Sequence, residues 1–285
     1  MPAGELRRVA DPTDVGAVRE RFIDTYGTSS ETVDAATLVE NYQRVREYSA
    51  SHPNQGSGAV ATALDLPRGR IRAWVDGDGR PDAVRALDTL TANGWLHLDW
   101  GESTLRALSA LIVWIVVGGS LPRQGWLPAW SVADGTEPDI EHIGSVLGLE
   151  WGRRHVDDDI SGTEWVPKRD GSVLGRLLAV LGAPTSATEG PSLPPWLLLD
   201  APRPVRLAAA RVAVRQRGTA LPGGGMPLQL AMHHDGRREA IARLLRSVAP
   251  QDDEVRVDAG TNIRLDIRAA ELLGAPPVLD GFLPR

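Results

Sequence analysis

The chain has 285 residues, with 31 basic and 37 acidic side chains and a formal net charge of −6. Hydrophobic residues make up 42% and charged residues 24%, an ordinary globular balance with length for a sizeable core and about two domains. Cysteine is absent, which excludes disulfides, thiolate metal ligation and thiol nucleophiles. The longest apolar run, Ala107 to Val117, spans 11 positions; a membrane-spanning helix needs roughly 20, so no membrane association is expected. Arg7 and Arg8 are followed by no apolar stretch, so no signal peptide is expected and a cytoplasmic location is the default. Lys168 is the single lysine. Arginine prevalence with an acidic total points to a GC-rich, salt-adapted archaeal source. The acidic total also weighs against general nucleic-acid binding, although phosphates respond to local basic patches rather than to net charge.

Residues 1–34 read as a polar, loosely ordered N-terminal arm, in which Val15, Val18 and Phe22 fall on one helix face. Residues 35–100 read as a helical domain. Leu38, Tyr42, Val45 and Tyr48 have helical spacing, and His52 to Gly56 breaks the chain. Ser57 is placed to cap a short helix with Val60, Ala61 and Leu64 on its apolar side, and is also a candidate DNA contact. A turn at Asp65-Leu66-Pro67 leads into Arg68-Gly69-Arg70-Ile71-Arg72-Ala73-Trp74. A further helix follows Pro81, with Val84, Leu87 and Leu90 on one face, and Asn93 to Leu98 reads as a closing turn and strand.

From Glu102 onward the chain reads as duplicated, with copies at 101–200 (including a linker) and 201–285. The apolar helix Leu105 to Val117 ends in Gly118-Gly119, and Val205 to Gln216 ends in Arg217-Gly218, 99 positions later. Short proline-containing strands follow at Trp126 to Pro128 and Met226 to Leu228. Helices then match at Ile143 to Leu147 and Ile241 to Leu245. Two strands follow in each copy: Trp151 to Val156 and Glu164 to Pro167, then Glu254 to Asp258 and Asn262 to Asp266. Each copy closes on Leu-Gly-Ala-Pro, at 181–184 and 273–276. The expected fold class is α+β, a helix-turn-helix followed by two αββαββα repeats.

A helix carrying Arg68, Arg70 and Arg72 suits major-groove reading, because an arginine fork can donate two hydrogen bonds to guanine. Alternate positions fan across about 200° of a helix, so all three cannot read bases and some are expected on phosphates. Ile71 and Trp74 are expected to pack inward. The segment Gly58 to Trp74 resembles the homeodomain-like helix-turn-helix of transposases and resolvases, from which Gly69 in the second helix departs.

The two small-residue helices ending at glycine resemble those of the LAGLIDADG homing endonucleases. Leu111 to Ser120 carries the closest signature, and Val173 to Pro184 with Leu193 to Trp196 is similar to the linker of single-chain members. The resemblance covers residues 103–276 and implies a saddle-shaped DNA surface built from two sheets. In that family each paired helix presents one carboxylate, before its terminal glycine, to the metals that activate water. Those positions fall here on Gly118 and Arg217, so no metal cofactor and no cleavage are expected. Arg217 is instead a candidate phosphate ligand. Arg123, Arg153, Arg154, Lys168, Arg169, Arg256 and Arg264 are the other candidate DNA contacts of this body, a subset of which would reach the grooves.

Other constellations read more simply as structure. Asp157-Asp158-Asp159 with His155 is a solvated turn, His233-His234-Asp235 precedes a helix, and Gly223-Gly224-Gly225 lacks the Lys-Ser/Thr of a phosphate loop. No Gly-x-Ser-x-Gly elbow supports a hydrolase. The expected function is sequence-specific binding of double-stranded DNA, as a transcriptional regulator on a catalytically silent endonuclease fold. Transcription machinery is a further candidate partner, as a monomer or homodimer. The alternatives are an active nuclease using acids such as Asp134 or Asp235, a plasmid-maintenance or architectural DNA binder, and a protein-interaction scaffold.

Overall fold

The computed structural model describes residues 10–27, 33–155, 163–185, 193–230, 235–257, 262–275 and 278–279. The first described element is α1 (Val15–Asp24), capped by Asp14, whose carboxylate accepts a hydrogen bond from Ala17 N at 3.0 Å. Val18 and Phe22, four positions apart, are fully buried. Residues 15–24 of the expected arm thus form a packed helix on the face that Val15, Val18 and Phe22 share. Its apolar stripe is too short to signal a helix alone and gains its stability from tertiary packing. Helix α2 (Ala35–Ser51) is capped by Asp34, which accepts bonds from both Thr37 N and Thr37 Oγ1 at 2.8 Å. These bonds favour the ionised form and hold the Asp34 carboxyl below the usual carboxylate range.

Two short helices follow, α3 (Ser57–Leu64) and α4 (Arg68–Val75), joined through Asp65 in the left-handed region at φ 54°. Helix α5 (Asp82–Ala92) then leads to Gly94, at φ +67°. Residues 95–98 form bends, not the expected strand. Trp95, Leu96 and Leu98 pack into the core, and Trp95 Nε1 donates to Leu147 O at 3.2 Å.

Helix α6 (Ser103–Gly118) is buried at every position from Ala107 to Val117, which explains its apolar character all round. It is followed by β1 (Gly119–Ser120), β2 (Ala129–Ser131), α7 (Glu137–Leu147), β3 (Trp151–His155), β4 (Thr163–Pro167) and α8 (Gly171–Val180). The strand expected at Trp126 to Pro128 begins instead at Ala129, because Gly125 and Trp126 both take positive φ and turn the chain. Helix α9 (Pro195–Leu199) links this half to α10 (Arg203–Arg217), β5 (Met226–Gln229), α11 (Asp235–Arg246), a 3-10 turn at Asp252–Glu254, β6 (Val255–Val257), β7 (Asn262–Leu265) and α12 (Ile267–Gly274).

The architecture is α+β with two small antiparallel sheets, ordered β1-β2-β4-β3 and β5-β7-β6. A lone bridge, Gly218 to Leu228, stands in the second half where β1 pairs with β2 through Gly119 and Trp130 in the first. Both halves therefore run through helix, strand pair, helix, strand pair, helix, with the second half's opening strand reduced to one bridge.

Helices α6 and α10 pack against each other at the centre. Ala208, Ala209, Ala210 and Ala213 are buried on α10, and their small side chains permit close approach. The described core falls into two clusters. A small one under α2, α3 and α4 holds Val45, Val60, Ala61, Ile71 and Trp74. The other runs through the rest of the molecule, from Ala10 to Leu279, and includes α1 and α5. Five tryptophans (Trp95, Trp114, Trp130, Trp151 and Trp196) each donate Nε1 to a backbone carbonyl, which accounts for them as core residues rather than base-stacking platforms.

Candidate nucleic-acid interface

Helix α4 stands on its own small core. Ile71 and Trp74 face inward, and Trp74 meets Tyr42 edge-on at 5.5 Å. Arg68, Gly69, Arg72 and Ala73 are exposed, and Arg70 is half-buried on the opposite edge. Arg68 and Arg72, four positions apart, thus share one edge, while Gly69 and Ala73 leave the centre of the outer face low. A side chain added at Gly69 would meet nothing within 4 Å. Gly69→Ala is therefore expected to raise stability by up to about 1 kcal/mol, read as a shift in the urea midpoint. An unchanged or lowered midpoint would contradict the exposed placement of that face.

Ser57 does not take the place expected for it. It is the first residue of α3, only 2% exposed, and out of reach of a nucleic acid. Its Oγ donates to Asp76 Oδ2 at 2.6 Å and its amide donates to Asp76 Oδ1 at 3.1 Å, so Asp76 at the end of α4 closes the start of α3. The Ser57 hydroxyl first, then its amide, hold the Asp76 carboxyl below the ordinary range, and Arg68 and Arg72 add to this. A carboxylate with a depressed folded pKa contributes stability above its unfolded value, about 3.9, and loses it as pH falls through the depressed value. The α3–α4 unit is therefore expected to loosen as pH falls below about 4. In Asp76→Asn it is expected to be looser at neutral pH with less added loosening in acid, read by amide exchange of α3. An identical acid profile in the variant would contradict this.

The two sheets sort the strand arginines by parity, because successive residues point to opposite faces. Arg153 pairs with Trp165 and lies over its ring at 4.5 Å, on the face carrying the buried Trp130 and Trp165. Strand parity puts it on the face opposite Arg154, and it is exposed there. Arg154 is on the open face beside Glu164, at 2.6 Å. Lys168 is exposed just beyond β4, its stem 3.5 Å from where a Cβ on Gly152 would lie. Arg169 is exposed and pairs with Glu150. Arg123 donates to Thr185 Oγ1 at 2.8 Å, at a loop tip beyond β1. In the second sheet Arg256 and Arg264 are direct cross-strand partners on the open face, flanked by Asp266, 3.5 Å from Arg256. Like charges placed directly opposite repel. Arg154, Arg169 and Arg256 are thus each already paired with a carboxylate, of Glu164, Glu150 and Asp266.

The positions Gly118 and Arg217 lie side by side where α6 and α10 end. Arg217 Nε donates to Val117 O, and its Nη2 is 2.9 Å from where a Cβ on Gly118 would be. Burial pushes the Arg217 guanidinium below the ordinary arginine value, yet arginine stays cationic in proteins. A cation at the C-terminal end of α6 complements the helix dipole. The side chain is half-buried and partly spent on α6, which reduces its reach toward a phosphate.

Sequence reasoning missed the polar belt beside this junction. Arg215 Nε donates to Asp139 Oδ2 at 2.5 Å, with the two side chains 14% and 2% exposed. Gln216 accepts from Ala133 N at 2.9 Å and donates to Thr136 Oγ1 at 2.8 Å. The one signal was the run Arg215-Gln216-Arg217 closing an otherwise small-residue helix. The constellation residues 157–159 and 233–234 lie outside the described residues, and the side chains of His155 and Asp235 are likewise not described. Among the described residues no helix is long and apolar enough to cross a membrane.

No protein family matches the sequence, and no curated protein matches it. Among solved structures the chain is similar to the crystal structure of the N-terminal LAGLIDADG domain of DUF199/WhiA, at 11% sequence identity and a TM-score of 0.41, covering 64% of this chain and 89% of that one.

Proposed function

We propose that this protein binds double-stranded DNA sequence-specifically, as a transcriptional regulator that does not cut its site. The observation that carries the reading is α4, an exposed helix on its own core with Arg68 and Arg72 along one edge of a low Gly69–Ala73 face. That shape lets the backbone approach a groove while two arginine forks reach base edges or phosphates. On this reading α3 and α4 form the helix-turn-helix, and the two halves of the body form a duplicated LAGLIDADG-like saddle whose open faces carry Arg154, Lys168, Arg256 and Arg264. The silent-enzyme part is supported by Arg217, whose guanidinium stands beside Gly118 where a divalent cation would need carboxylate oxygens.

Arg72→Ala is expected to weaken binding to a selected site by roughly 1–3 kcal/mol, with Arg68→Ala in the same range if it reads a base. A phosphate-contacting arginine would instead weaken all sequences about equally and lower the salt dependence. Titration of both variants against specific and scrambled duplexes at two salt concentrations separates these roles. Unchanged affinity in both variants would remove α4 from the interface.

A further inference from the structure

Of the three arginines on α4, one is anchored to a side chain. Arg68, the first residue of the helix, donates from Nε to Ser57 Oγ at 3.4 Å. The Ser57 hydroxyl has a single proton, which goes to Asp76 Oδ2 at 2.6 Å, so its oxygen faces Arg68 as an acceptor. The Ser57 amide fixes the same carboxylate through Oδ1 at 3.1 Å. A relay therefore runs from Asp76 at the end of α4, through the buried start of α3, to Arg68 at the beginning of α4. Gly58 leaves room for it: a Cβ there would lie 3.8 Å from Arg68 Nε and 4.0 Å from its Cζ, so the guanidinium crosses directly over α3. Among the described residues, Arg70 and Arg72 make no side-chain hydrogen bond, and neither do the two Nη groups of the exposed Arg68.

We propose that Arg68 is the arginine of α4 that reads a guanine, and that Ser57, backed by Asp76, is the positioning residue that aims it. The inference rests on the DNA-binding reading and adds to it which arginine carries sequence. Guanine offers O6 and N7 to a fork of two N–H donors. With Nε held by Ser57, the end of the guanidinium that carries both Nη groups is the part left to meet a base edge. The anchor also narrows the rotamers of a long side chain before DNA arrives, which lowers the ordering cost of the contact. A wrong base leaves the oriented fork without matching acceptors, and that difference is sequence discrimination. Arg72, on the same edge, is attracted to the Asp76 carboxylate but is not bonded to it. Ser57 is buried beneath this surface, so it acts on recognition through Arg68 and not by touching DNA.

Two measurements on the full chain test this. In the free protein, side-chain NMR is expected to show the Arg68 Nε–H exchanging with water several-fold more slowly than that of Arg72, with Ser57→Ala abolishing the difference. Binding is then compared between the duplex that the wild-type chain selects from a random pool and versions of it with single G·C pairs replaced by A·T. Arg68→Ala is expected to lose roughly tenfold discrimination at one pair. Ser57→Ala is expected to lose part of that discrimination at the same pair and to leave the salt dependence unchanged. In the Arg68→Ala background it is expected to have no further effect on discrimination. Should Ser57→Ala fail to fold by circular dichroism, the wild-type exchange rates and the Arg68→Ala discrimination decide. Equal exchange at Arg68 and Arg72, or a Ser57→Ala loss that is alike for all duplexes and adds to that of Arg68→Ala, would overturn the inference and leave DNA binding in place. A wild-type chain that selects no duplex would remove the DNA-binding reading and this inference with it.

Discussion

Gly175→Ala is expected to lower the stability of the protein by about 3 kcal/mol and its melting temperature by roughly 10 °C, at the upper end for overpacking. A Cβ at Gly175 would lie 1.9 Å from Trp126 O and 2.9 Å from Trp126 C, atoms of the backbone and not of a yielding side chain. Neither side can retreat. Helix α8 is held by Leu174, Leu177 and Leu178, all fully buried. The Trp126 turn is held at φ 55°, beside Gly125 at φ +80°. Arg176 presses on the same turn, its guanidinium 5.1 Å from the Trp126 ring and 4.0 Å from the Tyr26 ring that follows α1. The clash is therefore expected to loosen α1 as well, and thermal unfolding with amide exchange in residues 15–24 measures both. A melting temperature within a degree or two of wild type would show that α8 and the turn do not touch as described.

Asp139→Ala is expected to cost roughly 3–5 kcal/mol, through the charge it strands rather than the contact it removes. Asp139 begins α7 and Arg215 ends α10, so each also complements its helix dipole. Arg215 Nη1 also reaches Gly274 O at 3.3 Å, so the guanidinium that pairs with Asp139 of the first half holds the end of α12 in the second. Without Asp139 a guanidinium only 14% exposed would keep its charge in a poorly solvated site. Replacing both partners by apolar residues, as in Asp139→Leu with Arg215→Met, is expected to recover most of the loss. Urea denaturation of the two single variants and the double variant gives the coupling. Additive losses would mean that the two groups do not act as a pair.

The long elements were legible because their apolar positions repeat at helical spacing and because two similar runs stand 99 positions apart. The same offset matches Gly118 to Arg217, and the two stand side by side in the fold. The face of helix α1 was legible in Val15, Val18 and Phe22, but its packing was not, since it depends in part on α8, far along the chain. Ser57 was misread because a serine before an apolar run looks like a cap, while the cap is Asp76, 19 positions away. The adjacent Arg153 and Arg154 looked equivalent as charges, and strand parity divides them between two faces. Their surroundings, the Trp165 ring and the Glu164 carboxylate, come from pairing register, which composition does not encode.

The central claim is that this chain reads duplex DNA through α4 and the open sheet faces without cutting it. The most direct measurement is selection of bound duplexes from a random pool at two salt concentrations, with the protein and pool incubated in magnesium in parallel. The expected result is one enriched site, recovered with intact ends and lost when Arg72→Ala replaces the wild type. A pool that shows no enrichment, or enriched duplexes cut in a magnesium-dependent way, would contradict the account.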